Sequence, residues 1–346
     1  MALKEGDLIH SRYRLLRLIG SGTSGSVWAA RNELIERDVA LKILGPEVMN
    51  DKVLLQRFFN EAKAIGRVNH PSIVGILDLG QAEDGSPFLV LELLDGEPLG
   101  SKLRRERVID PETLFDACSG IARALDLAHQ QGIVHRDLKP ANIYMHRNSA
   151  GGLVGKILDF GISKVLGSSS TNFSLTKTGT VVGSPAYMSP EQAAGREDID
   201  GRADVWSLGV VLFESATGVL PHEAPNYNAL MVRILTQDPD PVASRAPHLA
   251  GSVCRLIDSC LQRDRKKRPT AGQLHSQLVA VTRELRAGRF NRSGGRRRDD
   301  QPSSITGPHL PIIENKRLMT LLAVGAGSAL VTGLLGLGLG YLLFSN

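Results

Sequence analysis

His135-Arg136-Asp137-Leu138-Lys139-Pro140-Ala141-Asn142, followed downstream by Asp159-Phe160-Gly161, decides the reading of this 346-residue chain. Two carboxylates and an amide in this order are what phosphoryl transfer from a nucleotide requires. Asp137 can take the proton of an attacking hydroxyl. Asp159 and Asn142 can hold Mg²⁺ against phosphates, because that ion takes oxygen ligands. Either stretch alone recurs by chance. Together, in this order and separation, they point to one chemistry.

Upstream lies Gly20-Ser21-Gly22-Thr23-Ser24-Gly25-Ser26-Val27, between two strand-like segments. Glycines let the backbone approach phosphate oxygens and present N–H donors without obstruction. The same spacing can open a dinucleotide site, but a helix would then follow the glycines, and here a strand pattern does. Val39-Ala40-Leu41-Lys42 is an apolar strand that ends in a cation. Further on, Phe58, Ala62, Ile65 and, less neatly, Val68 recur at helical spacing.

With these stretches the chain resembles the eukaryotic-type (Hanks-type) protein kinase family, over residues 13 to about 285. The resemblance implies an α+β, two-lobed protein kinase fold. A β-rich N-lobe with one helix would span residues 8–94, and a mainly helical C-lobe residues 95–286, with ATP in the cleft between them. Gly20, Ser21, Gly22, Thr23, Ser24 and Gly25 would cover the phosphates, and Val27 and Ala40 would line the adenine site. Lys42 would pair the α- and β-phosphates and be held by Glu61. Glu47 competes for that role, but Gly45-Pro46 puts it in a loop, whereas Glu61 sits at the edge of an inward helical face. In Phe88 to Gly96, Leu91 would guard the back of the pocket, and backbone groups of Glu92 and Leu94 would bond the purine.

By the same resemblance Asp137 is the base and Lys139 neutralises the transferring phosphoryl. Lysine at 139 matches serine/threonine kinases. Asn142 and Asp159 form the metal site for Mg²⁺, for which Mn²⁺ could substitute. Glu191, in Ser189-Pro190-Glu191, is expected to pair with Arg268, and Asp204 to anchor the catalytic loop. Arg136 is placed to meet a phosphate on the activation segment, with Thr176, Thr178 and Thr180 as its candidate carriers. Ser184 keeps a hydroxyl where the family more often has threonine.

The rest of the chain is read from pattern. Ile73 to Leu77 and Phe88 to Leu93 read as strands around the turn Glu83-Asp84-Gly85-Ser86. Asp110-Pro111-Glu112 is a helix start, Ala203 to Thr217 a helix closed by Gly218, and Thr270 with Gln273 a capping box for a last helix to about Leu285. Asn148 to Gly155 reads as surface elaboration.

Composition sets outer limits. The net charge of +5 is mild, and its basic clusters carry a single interleaved aromatic, Phe290, and no nucleic-acid-binding motif, so no nucleic-acid partner is expected. Cys118, Cys254 and Cys260 lie far apart without metal-ligand spacing and read as buried thiols. The first residues carry charge and no apolar run, so no signal peptide is expected.

Residues 287–317, rich in Gly, Arg, Pro and Ser, read as a juxtamembrane linker. Residues 318–344 contain no charged side chain, a run longer than the roughly 20 residues that cross a bilayer. They are expected to form a transmembrane anchor in the lipid bilayer. Lys316-Arg317 just before them favours the cytoplasmic side of a cell membrane for the kinase, which is the expected orientation. Gly336 and Gly340, with Gly325, Ala329 and Gly333, could let two such helices approach as a homodimer, although glycine is common in membrane helices anyway.

The resulting expectation is a membrane-anchored serine/threonine protein kinase of the bacterial kind, autophosphorylated on its activation segment. Its partners would be protein substrates with Ser or Thr acceptors. Two rivals remain. A catalytically dead scaffold of the same fold would usually have lost Lys42, Asp137 or Asp159, and a small-molecule phosphotransferase would generally lack the segment Gly183 to Glu191.

Overall fold

The computed structural model describes residues 3–22, 25–45, 52–159 and 185–294. Six strands form the first sheet: β1 (Leu8–Ile9), β2 (Tyr13–Gly22), β3 (Gly25–Asn32), β4 (Arg37–Leu44), β5 (Ile76–Gln81) and β6 (Pro87–Glu92). They lie in the order β1-β2-β3-β4-β6-β5 and pair antiparallel throughout. Tyr13, Leu15, Trp28, Val39, Leu41, Phe88 and Val90 are buried together on one side. Helix α1 (Lys52–Arg67) buries the other side through Phe58, Ala62 and Ile65, the stripe its periodicity predicts.

The expected strand Ile73 to Leu77 is displaced. Ile73 makes only a single parallel bridge to Ile157, and β5 begins at Ile76. The reason is competition for the backbone: the Ile157 N–H donates to the Ser72 carbonyl, and the Val74 N–H to the Ile157 carbonyl. Those residues are therefore committed to a neighbour outside the sheet.

That neighbour belongs to a second, three-stranded sheet, β7 (Gly96–Pro98), β8 (Ile143–Arg147) and β9 (Leu153–Ile157), at the base of a helical lobe. The turn between β8 and β9 is closed by the Asn148 side chain, which accepts from the Ala150 and Gly152 N–H groups. Helices α2 (Leu99–Glu106) and α3 (Pro111–Gln130) follow β7. Asp110 caps α3 by accepting from the Thr113 N–H at 3.0 Å, with proline at the first position.

From residue 185 onward come α4 (Pro190–Ala193), α5 (Arg202–Thr217), α6 (Tyr227–Thr236), α7 (Val242–Arg245), α8 (Gly251–Cys260) and α9 (Ala271–Gly294). Helix α5 is buried almost all round and ends at Gly218, whose φ of 78° suits a residue without Cβ. Thr270 and Gln273 bond reciprocally at the start of α9, as a capping box should.

Helix α9 runs nine residues past Leu285, the expected end, through stretches read as linker. Arg286 ties its surface to Glu112 and Asp116 of α3 at 3.1 Å each. The three cysteines are free and buried. No helix among the described residues is long and apolar enough to cross a membrane; residues 318–344 lie outside them.

Candidate active site

The catalytic loop leaves α3 and hangs on one buried carboxylate. Asp204 of α5 accepts from the His135 N–H at 2.9 Å and the Arg136 N–H at 2.8 Å, and meets His129 Nε2 at 2.7 Å. Burial alone would raise its pKa, but the bond from His129 and the surrounding donors outweigh it, and the carboxyl is held below its usual value. Asp204 therefore stays charged and fixes two successive peptides. Arg136 sits at φ 65°, a strained conformation for a side-chain-bearing residue that this pair of bonds holds in place.

The strained turn presents Asp137. Its carboxylate accepts from Lys139 Nζ at 2.8 and 3.1 Å and from Asn142 Nδ2 at 3.2 Å. Asn142 Nδ2 also donates to the Asp137 carbonyl at 2.8 Å. With the amide nitrogen committed this way, its oxygen is the group left to meet a cation. Asp137, Lys139 and Asn142 form one cluster, as expected from their spacing.

Asp159 follows β9 and has φ 43°. Its carboxylate is paired with Lys42 Nζ, a buried lysine on β4. Across the first sheet Lys42 is in register with Val27, and Ala40 with Leu91. Gly20, Ser21 and Gly22 end β2 and Gly25 opens β3. Gly25 has φ 130°, and a Cβ there would run into the Ile43 carbonyl. Thr23 and Ser24 lie outside the described residues.

Lys42 forms an ion pair with Asp159, and Glu61, the residue expected to hold it, lines a cavity of about 250 Å³ with Ala64, Ile65 and the segment 132–136. Glu61 stands on the α1 face next to the catalytic loop, and Lys42 reaches across to the carboxylate just beyond β9.

Glu92 and Leu94 lie where β6 leaves the first sheet. The Glu92 N–H donates to the Gly75 carbonyl at 3.0 Å, so at this residue the carbonyl is the backbone group that could face a purine. Below the loop, Glu191 and Arg268 form a buried bidentate pair at 2.7 and 2.8 Å, with the guanidinium 5.0 Å over the Trp206 ring. Burial pushes the Glu191 carboxyl up, and the Arg268 bonds pull it down further still, so it stays ionised. Gln192 Nε2 donates to the Arg136 carbonyl at 2.7 Å and links this segment to the loop. Nearby, Tyr187 donates to Glu214 at 2.6 Å, and burial raises the pKa of both groups. Thr176, Thr178, Thr180 and Ser184 lie outside the described residues.

Residues 13–279 match the protein kinase domain family. The chain belongs to that family. Serine/threonine-protein kinase pkn3 of Myxococcus xanthus is 37% identical over 284 residues, 81% of this chain and 52% of that protein. Serine/threonine-protein kinase PknA of Mycobacterium tuberculosis is 36% identical over 293 residues, 84% of this chain and 64% of that protein. The PknB kinase of Mycolicibacterium smegmatis is 35% identical, over 79% of this chain and 43% of its own length. The chain thus spans about half the length of such curated relatives. The crystal structure of the Mycobacterium tuberculosis PknI kinase domain superposes with a TM-score of 0.60 at 24% identity, over 81% of this chain and 99% of that domain. At that identity the likeness speaks for the fold alone.

Two residues of this kinase-family site were not legible beforehand. His129 completes the Asp204 anchor, yet on the sequence it is one polar residue on the face of a long helix. Lys156, which bonds the Glu92 side chain at 2.6 Å, reads as an ordinary strand lysine. In both cases the partner is more than sixty residues away in sequence.

Proposed function

We propose that this chain is a serine/threonine protein kinase that transfers the γ-phosphate of ATP to protein hydroxyls. The observation that carries the reading is the cluster in which Lys139 and Asn142 both bond Asp137 while Lys42 meets Asp159. Asp137 would accept the proton of the acceptor hydroxyl. Lys139, already within 2.8 Å of that carboxylate, would balance charge on the transferring group. Lys42 would orient the nucleotide phosphates, and the backbone at Glu92 and Leu94 its purine.

The donor set suits a hard divalent cation. Asn142 has its oxygen to spare and Asp159 carries a carboxylate, both oxygen ligands of the kind Mg²⁺ prefers, and Mn²⁺ would fit them too. Bound there with ATP, the ion would supply charge neutralisation at the phosphates. The intact lysine and carboxylates speak against a scaffold without activity.

The proposal extends to regulation and location. Arg136 lies beside the catalytic base, which favours a phosphate on Thr176, Thr178 or Thr180 as the ordering signal. The uncharged run 318–344 favours insertion in a bilayer, with the kinase on the side of Lys316-Arg317. Close packing of its glycines would support a homodimer.

The activity is tested by phosphate transfer from ATP to a generic basic protein. Phosphoamino-acid analysis should find phosphoserine and phosphothreonine. Recovery of the full-length protein in the soluble fraction after a high-salt wash would contradict the anchor, because hydrophobic insertion resists salt.

A further inference from the structure

Glu92 closes the last strand before the chain crosses to the helical lobe, and its side chain is held by two donors. Oε1 accepts from the Gly75 N–H at 2.7 Å and from Lys156 Nζ at 2.6 Å. The Gly75 carbonyl in turn accepts the Glu92 N–H at 3.0 Å, so the two residues are bonded in both directions.

Lys156 is 7% exposed and stands on β9 of the three-stranded sheet. Its ion pair with Glu92 therefore ties the second sheet to the end of the first. A buried ammonium is tolerated only with a well-placed partner, so the pair holds its geometry.

The strand around Lys156 is secured on every side. Ile157 exchanges backbone bonds with Ser72 and Val74, at 2.8 and 3.0 Å, in the loop that ends at Gly75. The Leu158 N–H donates to the Asn142 carbonyl at 2.8 Å, and Asp159 comes next. A short bonded path thus leads from the Glu92 carboxylate through Lys156 and β9 to Asp159 just beyond the strand. With its N–H bonded to the Gly75 carbonyl and its side chain held by the Gly75 N–H and Lys156, Glu92 is anchored at both ends, which restrains the backbone whose carbonyl would face the purine.

We propose that Lys156 is a positioning residue for the nucleotide. Through Glu92 it fixes the tilt of the purine-binding backbone relative to the strand that presents Asp159. This rests on the reading of the cleft as an ATP site. Lys156 touches neither substrate nor reacting atoms, so its loss should loosen the purine end of the site. The phosphate end, held by Lys42, should stay as it is.

The test uses the full chain and its Lys156→Met, Lys156→Arg and Glu92→Gln variants, with KM for ATP and kcat measured on a basic acceptor protein alongside thermal melts. Lys156→Met should raise KM for ATP about tenfold with kcat within about twofold, the loss of one charge-assisted bond on a positioning group. Lys156→Arg keeps the cation and should recover most of that rise. Glu92→Gln retains the Gly75 bond but weakens the ion pair, and should shift KM in the same direction even if Lys156→Met folds poorly. A role in stability alone would lower the melting temperature and leave KM unchanged in all three, which would overturn the proposal. So would an Arg variant no better than Met. A wild-type chain that transfers no phosphate at all would instead remove the functional reading beneath it.

Discussion

Lys42, on a central strand of the first sheet, donates to the carboxylate of Asp159, 117 residues further along the chain. The buried lysine brings the strand that would carry the nucleotide phosphates against the group that would carry the metal. A buried ammonium and a carboxylate at a strained φ both cost folding energy, a cost that a role in the site accounts for.

Lys42→Met should therefore leave the fold intact and remove activity. Methionine fills similar volume, and Asp159, with 39% of its side chain exposed, can hydrate once its partner is gone. The expected loss in kcat/KM is at least about 10²-fold, the scale of a misplaced reactant. Steady-state kinetics and a thermal melt on the same preparation check it. A variant with near-normal turnover would contradict the assigned role.

The Glu191–Arg268 pair makes the opposite kind of prediction. Both groups are almost fully buried, at 5% and 2% exposure, so removing the cation strands a charged carboxylate. Arg268→Met should cost about 3–5 kcal/mol of stability, read from urea unfolding. It also removes the cation over Trp206. A loss under about 1 kcal/mol would mean that the carboxylate finds water or another donor.

His222 supplies a pH dependence. Its ring is buried and stacked on Trp206, with centroids 6.3 Å apart and planes at 13°. Burial lowers its pKa below the ordinary 6.5, Arg233 adds to the shift, and Asp238 and Asp240 oppose it. With the folded value below the unfolded one, the unfolded chain takes up the proton first as pH falls. The neutral ring's contribution is complete above pH 6.5 and is lost as pH drops through the lower folded value. Between pH 7.5 and 5.5 the wild type should lose more stability than His222→Phe, in which the stacked ring cannot titrate. Equal losses in the two proteins would place the acid sensitivity elsewhere, for instance at His70, whose pKa burial also lowers.

Much of this architecture was legible because its parts are local. The loop from His135 to Asn142 carries its own bonding pattern, with Asp137, Lys139 and Asn142 only two to five residues apart. Caps at Asp110 and Thr270 and the stop at Gly218 are likewise written within a few positions. What escaped was set by distant partners. Ser72 and Val74 take Ile157 as neighbour, which no strand pattern announces, and so β5 starts late. The contact of Lys42 with Asp159 likewise joins residues 117 positions apart. Helix α9 outlasts its apolar stripe because Arg286 is held by the acids of α3.

The central claim is that Asp137 is the base of a phosphoryl-transfer site, and a matched pair of assays reaches it directly. Wild type and Asp137→Asn are purified in parallel and tested for nucleotide binding and for phosphate transfer from ATP to a basic protein. Asparagine preserves the shape of the side chain and can still bond Asn142 and Lys139 through its oxygen, but it cannot accept the proton. The account predicts unchanged nucleotide affinity and a loss of transfer of about 10²–10⁴-fold, the range general-base catalysis supplies. Retained transfer in the Asp137→Asn protein would contradict it.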